Sequence, residues 1–392
     1  MRIFKGLNKN IIVLSVTSFF ADISSEMLYP IIPIFLTGVL GVPVSILGLI
    51  EGVAESTASV MKALSGWLSD IFRKRRGFVI LGYFLSSIGK LLLFFAYTWP
   101  VVLTARFVDR FGKGVRTSPR DALLADSSPA EYRGKAFGFH RAADTLGACL
   151  GPLLALLLLV VLKDNIRQVF LIAFIPAILA VLTLIFFLKD KPNLQAGAIG
   201  RGYFPSRGWK IGLKGFPPKF KKFLLVSSVF AIGNSSDAFL ILRSKDIGLS
   251  VTLVILAYVV YNITYSALSF PFGILSDKID RKWVIIGGFA VFALVYYGFG
   301  LYINRTTVWP LFAVYGFYMA MTDGVGKAYI SDMVPAGSRA TAIGLYYCVT
   351  GILTLFASIA AGLLWTLVGK QAPFVYGAVA ASGAAVLCAF LL

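Results

Sequence analysis

Ionisable side chains inside long apolar runs are the residues of this sequence best able to do chemistry. The first half of the chain carries six acids and six bases of this kind, and the second half carries only three such residues. In the first half they are Asp22, Glu26, Glu51, Glu55, Asp109, Asp144, Lys62, Lys90, Arg106, Arg110, Lys113 and Arg141, and in the second half Asp237, Asp323 and Lys327. Because a charge inside a bilayer is costly, each is a candidate for a functional site.

Helical spacing places several of these charges on common faces. Residues four apart differ by about 40° around an α-helix, so Asp22 and Glu26 share one face. Arg106 and Arg110 share a face of another run, and Asp109 lies beside it. These faces cannot all point toward lipid, so we expect them to face one another or a water-filled cavity.

Carboxyl groups in such a cavity can exchange protons. Burial favours the neutral acid and a nearby arginine favours the carboxylate, so moving either group changes the affinity for a proton. We predict a proton-coupling set composed of Asp22, Glu26, Arg106, Asp109 and Asp144. The alternative, that individual members form only structural ion pairs, stays open here.

A second set of polar and aromatic residues is predicted to bind a small organic molecule. Tyrosines in the second half can form an aromatic wall, which suits amphipathic ligands, although packing also explains many of them. The predicted substrate-binding residues are Glu51, Glu55, Lys90, Arg110, Arg141, Asn234, Asp237, Tyr261, Tyr265 and Asp323. The three cysteines and the single histidine show no metal-ligand spacing, so we expect no metal and no cofactor.

The elements that must position these residues are long apolar helices. The chain has 392 residues, of which 58% are hydrophobic and 14% are charged. This apolar excess is typical of a protein that uses the bilayer as its solvent. Runs of about 20 residues or more can span a bilayer. We place twelve near 11–38, 45–68, 78–97, 99–120, 134–162, 167–188, 221–243, 250–274, 283–302, 308–330, 340–366 and 372–391.

The basic residues indicate the orientation of these runs. Of the 37 Lys and Arg residues, 24 lie at the N-terminus and in the even-numbered loops, and six lie in the odd-numbered loops. By the positive-inside rule, both termini are cytoplasmic. The net charge of +19 is therefore explained by topology, and we expect no nucleic-acid partner. We expect a monomer in the cytoplasmic (inner) membrane.

The two halves of the chain repeat one another. Gly66 and Asp70 recur as Gly273 and Asp277 at an offset of 207 residues. A constant offset of 206 relates Asp126, Pro129, Arg133 and Gly138 to Asp332, Pro335, Arg339 and Gly344, and an offset of 211 relates Ser24-Ser25-Glu26 to Ser235-Ser236-Asp237. Internal repeats of this size indicate a transporter built from two homologous halves. We predict bundles at 1–188 and 221–392, joined by a cytoplasmic linker at 189–220.

These motifs resemble those of the major facilitator superfamily. Gly66, Asp70 and Arg73 resemble its signature in loop 2–3, and Gly273, Asp277 and Arg281 resemble the second copy; together they are predicted to form cytoplasmic gate motifs. Arg106 resembles the family's intramembrane arginine. Gly147, Gly151 and Pro152 resemble the motif of its antiporter branch. The resemblance implies an all-α membrane protein with 12 transmembrane helices in two pseudo-symmetric six-helix bundles.

The resemblance also implies a function. We expect a secondary transporter, not an enzyme, that works by alternating access and exports a small organic molecule in exchange for protons, as multidrug-resistance antiporters do. The alternative is a proton-coupled transporter of an organic anion, such as a phosphorylated or carboxylated metabolite. A receptor or scaffold without transport is a third, weaker alternative, since no soluble signalling domain is visible.

Overall fold

The computed structural model describes residues 6–29, 31–42, 44–163, 165–189 and 215–392. Within these residues the chain is helical and forms no β-strand. The α-helices are α1 (Lys9–Leu28), α2 (Ile31–Ile34), α3 (Val44–Phe72), α4 (Arg75–Phe94), α5 (Trp99–Ser127), α6 (Arg133–Val161), α7 (Ile166–Phe187), α8 (Pro218–Gly233), α9 (Ala238–Asp246), α10 (Val251–Lys278), α11 (Arg281–Tyr297), α12 (Val308–Met333), α13 (Arg339–Leu367) and α14 (Ala372–Leu391). The predicted linker lies mostly at residues 190–214, outside the described part.

Polar caps begin several helices where apolar runs follow polar loops. Asn8 accepts a hydrogen bond from the Ile11 amide at 3.1 Å at the start of α1. Ser250 accepts one from the Leu253 amide at 3.3 Å at the start of α10. These side chains satisfy amide groups that the first helical turn leaves without an intrahelical partner.

Ten of the predicted runs correspond to single long helices, whereas the first and the seventh are interrupted. The first divides into α1 and α2, and α2 continues into a π-helical turn, Phe35–Val39. The seventh divides at Asn234, Ser235 and Ser236, which are not helical, between α8 and α9. Asn and Ser side chains compete with helical hydrogen bonds, which explains why an apolar pattern alone did not predict the break.

The membrane character of the helices is visible in their length and composition. Among the described residues, seven helical segments are long and apolar enough to cross a membrane. They are Lys9–Leu28, Arg75–Phe94, Ala130–Val161, Ile166–Phe187, Arg281–Tyr302, Ala336–Trp365 and Ala372–Leu391.

Helix α5 falls outside this group and carries many charges. It extends seven residues beyond its predicted end at residue 120, so Asp121 is a buried helical residue instead of a loop residue, and Arg120 lies inside the helix.

The chain divides into two compact units. The first unit contains residues 1–129, 143–210 and 335–345, and the second contains residues 130–142, 211–334 and 346–392. Aliphatic side chains and Phe35 and Phe170 pack in the first unit's core. The second unit has an aromatic core, in which the rings of Phe230 and Phe289 lie 4.4 Å apart and those of Phe292 and Tyr296 lie 3.9 Å apart.

Equivalent glycine contacts show that the repeat extends to the packing inside each unit. In the first unit, Gly82 of α4 lies against the backbone at Gly112 and Arg116 of α5. In the second unit, Gly288 of α11 lies against Tyr318 and Thr322 of α12. All three pairs of positions differ by 206, so the same offset aligns Lys90 with Tyr296 and Asp109 with Tyr315.

Candidate functional site

The first unit contains a buried cluster of charged side chains on α1, α4, α5 and α6. We call it the charge cluster, and it consists of Asp22, Glu26, Lys90, Arg106, Asp109, Arg110 and Asp144. Lys90, Arg106 and Asp144 are 2%, 5% and 4% exposed. The structure therefore brings together all five residues of the predicted proton-coupling set, with Lys90 and Arg110 from the predicted substrate set.

Two glycines of α6 allow it to approach α1 at the acidic residues of the cluster. A Cβ atom added at Gly151 would lie 2.8 Å from the carbonyl oxygen of Ile23 and 2.9 Å from the Cβ of Glu26. One added at Gly147 would collide with the Phe19 carbonyl and lie 3.2 Å from the Cβ of Asp22. Backbone contact between these helices requires glycine at both positions. Pro152 lies within α6 at the same place.

This close approach joins two carboxyl groups. The Asp22 and Asp144 carboxyl groups lie close enough to interact electrostatically. Two ionised carboxylates in such proximity repel one another, and a proton on either group removes the repulsion. The pair is therefore a candidate proton-binding site formed by α1 and α6.

A chain of hydrogen bonds continues from this pair along the first unit. Ser18, one turn before Asp22, donates to Asp144. Arg120 donates to the Ser18 hydroxyl at 3.3 Å and pairs with Asp121 at 2.8 Å. Ser18, Arg120 and Asp121 were not predicted as site residues. The four-residue spacing from Ser18 to Asp22 was the available signal for one of them.

Glu26 lines a small open cavity of about 20 Å³ within the first unit. Two acids, Glu26 and Asp109, and three bases, Lys90, Arg106 and Arg110, contribute to its wall. Arg106 lies 3.9 Å from the Asp109 carboxylate. Lys90 donates to the carbonyl oxygen of Ala21 on α1 at 3.3 Å, which connects this base to the helix that carries Glu26. The cavity offers both signs of charge to a ligand.

The two predicted acids of α3, Glu51 and Glu55, are not part of the charge cluster. Glu55 pairs with Arg110 at 3.3 Å, but 63% of its side chain is exposed. The side chain of Glu51 lies outside the described part of the structure. Arg110 therefore connects the cavity wall to α3 through a partly exposed ion pair.

A group of aromatic residues surrounds Asp237 in the second unit, and we call it the tyrosine site. The Tyr315 hydroxyl donates to the Asp237 carboxylate at 2.7 Å. The Tyr261 ring lies 5.3 Å from that of Tyr315 and 6.0 Å from that of Tyr265. Asn234 lies three residues before Asp237, in the break between α8 and α9. Sequence reasoning predicted four of these five residues as substrate-binding and placed Tyr315 only among the aromatic residues.

Asp323 forms a separate ion-pair network in the second unit. Its carboxylate pairs with Arg141, pairs with Lys327 at 2.9 Å, and accepts a hydrogen bond from the Tyr265 hydroxyl at 2.6 Å. Arg141 and Asp323 were both predicted to bind substrate. Their contact gives each a partner within the protein. Arg141 belongs to the second unit, whereas Asp144, three residues later, belongs to the first.

The first of the repeated loop motifs binds the start of α13. Asp70 accepts hydrogen bonds from the Thr341 amide and hydroxyl, both at 2.7 Å, and pairs with Arg75 at 3.0 Å. Gly66 lies against the carbonyl of Ala340, where a Cβ would collide. The arginine that holds Asp70 is thus Arg75. Arg73, the arginine of the predicted gate motif, is exposed and has a φ of 52° at the turn after α3.

The second loop motif binds the start of α6 in the corresponding way. Asp277 accepts hydrogen bonds from the amides of Gly134 and Lys135, both at 2.8 Å, and pairs with Arg281 at 2.8 Å. Arg281 also pairs with Asp332 at 2.7 Å. Gly273 lies against the carbonyl of Gly134. In both copies, a carboxylate satisfies amides at a helix N-terminus, where the helix dipole also favours a negative charge.

Comparison with known proteins decides the family. The model of the Major Facilitator Superfamily matches residues 14–242 and 223–392. The chain belongs to this superfamily. An uncharacterized MFS-type transporter of Methanocaldococcus jannaschii is 41% identical over 395 residues, which cover 99% of this chain and 96% of that protein. A probable 4-methylmuconolactone transporter of Cupriavidus pinatubonensis is 27% identical over 333 residues, 81% of this chain and 76% of that protein.

The fold agrees with that of a solved member of the superfamily. The Escherichia coli fucose:proton symporter FucP superposes with a TM-score of 0.78 over 97% of this chain and 98% of that chain, at 12% identity. The predicted all-α major facilitator fold is therefore confirmed. The chain is a multi-pass membrane transporter, and no cluster of metal-binding side chains occurs among the residues that the structure describes.

Proposed function

We propose that this superfamily member is a proton-coupled antiporter that exports small organic molecules across the cytoplasmic membrane by alternating access. The observation that carries the proposal is the proximity of the Asp22 and Asp144 carboxyl groups at the glycine contact of α1 and α6. In this proposal the pair holds one proton while the helices touch, because two carboxylates would repel one another.

Separation of α1 from α6 would release this proton. Without its partner, each carboxyl group would titrate according to its own surroundings, which include the bases of the charge cluster. Since Gly147 and Gly151 contribute no side chain, the contact can open and close without displacing intervening atoms. A conformational change that moves α1 is thereby converted into a change in proton affinity, which is the minimum that coupling requires.

Glu26 is the residue that connects proton binding to substrate. It shares the face of α1 with Asp22, lies against Gly151, and lines the cavity of the first unit. The cavity has room for about one water molecule as it stands, and a ligand that widened it would meet Glu26 and Arg106 together. In this proposal Arg106 modulates the charge of the cavity through Asp109, at 3.9 Å, and does not itself exchange a proton, because an arginine stays protonated in proteins.

The test uses proteoliposomes with an imposed pH gradient and two fluorescent probes, the cation ethidium and the anion carboxyfluorescein. We expect ethidium to move opposite to the protons, and Asp22→Asn to lower the gradient-driven rate at least tenfold. Asp246→Asn is the control, because this acid pairs with Lys370 and Arg243 away from the charge cluster. Unchanged coupling in both Asp22→Asn and Glu26→Gln would contradict the proposal, as would a wild type that moves neither probe.

A second candidate function is proton-coupled transport of an organic anion. The three bases in the wall of the cavity favour it, because protonation of Glu26 would leave them with Asp109 as the only wall acid. In that case carboxyfluorescein moves with the protons, and Lys90→Met lowers its rate more than Asp246→Asn does. Ethidium transport that Lys90→Met leaves unchanged favours export of cations instead.

A further inference from the structure

Asp237 occupies the position in the second repeat that Glu26 occupies in the first. It follows the break between α8 and α9, immediately before α9 begins. Its carboxylate does not cap α9 and instead accepts the Tyr315 hydroxyl at 2.7 Å. The side chain is therefore directed into the aromatic core of its unit and away from the helix that it precedes.

Three cations of the second unit form ion pairs with acids other than Asp237. Arg141 and Lys327 pair with Asp323, and Arg243 pairs with Asp246 at 3.0 Å. Within the described part of the chain, Asp237 forms no ion pair, and Tyr315 supplies its hydrogen bond. A carboxylate in apolar surroundings with a single neutral donor lacks the counter-charge that such a group requires.

Tyrosine rings supply the remainder of the site. Tyr315 and Tyr296 are 1% and 0% exposed, and Tyr261 is 4% exposed. The ring of Tyr315 lies 5.3 Å from that of Tyr261 and 6.5 Å from that of Tyr296. The faces of such rings attract cations, and more strongly where water is excluded.

The carboxylate is accessible although the rings behind it are buried. Ser236 is exposed, and Asn234 and Asp237 are partly exposed. These residues have no helical hydrogen-bond pattern between α8 and α9. A ligand can thus reach the carboxylate at the helix break, with the rings of Tyr261 and Tyr315 on its far side.

We infer that Asp237 and the tyrosines around it form a binding site for an amphipathic organic cation, such as a protonated amine or a quaternary onium ion. Asp237 is the counter-ion, and the buried tyrosine rings behind it exclude water, which strengthens the attraction between the carboxylate and a cation. This inference deepens the proposed function by naming its substrate class. It assigns cation recognition to the second unit and proton exchange to the first.

The experiment is equilibrium binding to the purified full-length protein with two probes of equal shape and opposite charge, tetraphenylphosphonium and tetraphenylborate. We expect Asp237→Asn to weaken tetraphenylphosphonium binding at least tenfold and to leave tetraphenylborate binding within twofold of the wild type. Asp237→Glu, which keeps the charge, should retain most of the affinity. Asp246→Asn, an acid of the same unit, should bind as the wild type does.

Two outcomes would overturn the inference. One is wild-type affinity for tetraphenylphosphonium in Asp237→Asn, and the other is an equal loss for both probes. Because the measurement uses no gradient, it does not depend on proton coupling. Asp22→Asn should keep tetraphenylphosphonium binding while losing gradient-driven transport, so the inference and the proposed function can fail separately.

Discussion

Glu26 and Asp237 are related by the internal repeat, yet their surroundings differ in kind. Glu26 lines a cavity with three bases, whereas Asp237 lies among tyrosines and accepts a hydrogen bond from one of them. At matched positions, Lys90 of the first unit corresponds to Tyr296 of the second, and Asp109 corresponds to Tyr315. The contacts of Gly82 and Gly288 show that the backbone arrangement at these helices is shared. The repeat has thus kept its packing while its two acids acquired different chemistry.

Two acids of the second unit, Asp323 and Asp237, also differ in the partners that surround them. Asp323 has two cations and a tyrosine hydroxyl as partners, whereas the described residues give Asp237 one tyrosine hydroxyl and no cation. An acid with this many internal partners is expected to stabilise the fold, and an acid without a cation is available to a ligand. The two can be distinguished by what their loss does to stability.

The largest expected effect on stability is that of Asp323→Asn. This change leaves Arg141 and Lys327 without their shared carboxylate, and removing one partner of a buried ion pair costs about 3 kcal/mol. Asp237→Asn removes a charge that has no cation partner, so we expect it to leave stability unchanged or to raise it. Thermal unfolding of both variants in the same detergent measures the difference. Equal destabilisation would remove the distinction between the two acids.

A smaller effect is expected at the glycine contact of the first unit. Gly151→Ala places a methyl group 2.8 Å from the Ile23 carbonyl, and overpacking of this kind costs about 2 kcal/mol. Because the methyl group also pushes α1 from α6, gradient-driven transport should fall at least tenfold. Gly77→Ala is the control, since nothing lies within 4 Å of its added Cβ.

The second unit has Ala357 at the position that corresponds to Gly151, and this alanine is 2% exposed. The second unit therefore accommodates a methyl group where the first unit cannot. Transport by Ala357→Gly should stay near the wild-type rate, with a loss of stability of about 1 kcal/mol from the glycine in a helix. If Gly151→Ala transports as well as Ala357→Gly, the α1–α6 contact has no role in coupling.

Some features of these sites can be predicted from the sequence and others cannot, because they depend on different kinds of information. Apolar length, basic loops and repeated motifs predicted the helices and the family, because each of these properties depends on a short stretch of the sequence. Spacing on one helix predicted that Asp22 and Glu26 act together. The pairing of Asp22 with Asp144 and of Arg141 with Asp323 depends on which helices touch, and a single sequence does not contain that information.

Backbone conformation determines which arginine of the first loop motif meets Asp70. Arg73 and Arg75 are both basic and adjacent to the same turn, and the positive φ of Arg73 directs the chain so that Arg75 meets Asp70. Tyr296 could have been found from the sequence, because the offset of 206 aligns it with Lys90. A comparison of the two halves thus adds a tyrosine that a search for charges misses.

The smallest effect on stability is expected at the loop motifs, where the same substitution should cost different amounts in the two copies. In the first motif, one oxygen of Asp70 accepts both Thr341 donors, and Arg75 keeps a second partner, Asp126, at 2.8 Å. An asparagine can present its oxygen to Thr341 and loses the contact with Arg75, whose charge Asp126 still balances, so Asp70→Asn leaves no backbone amide without an acceptor. In the second motif, the two oxygens of Asp277 accept separate backbone amides, and an asparagine can satisfy only one.

Asp277→Asn should therefore destabilise the protein more than Asp70→Asn does, by about 1 kcal/mol, which is the cost of one unsatisfied buried amide. Thermal unfolding of the two variants measures this difference, with Asp280→Asn as a control at an exposed acid of the second motif. Asp277→Ala should lower the melting temperature more than either asparagine variant does, because it leaves two amides at the start of α6 without an acceptor. Equal melting temperatures for Asp70→Asn and Asp277→Asn would mean that the two motifs differ in sequence alone and hold their helices with the same strength.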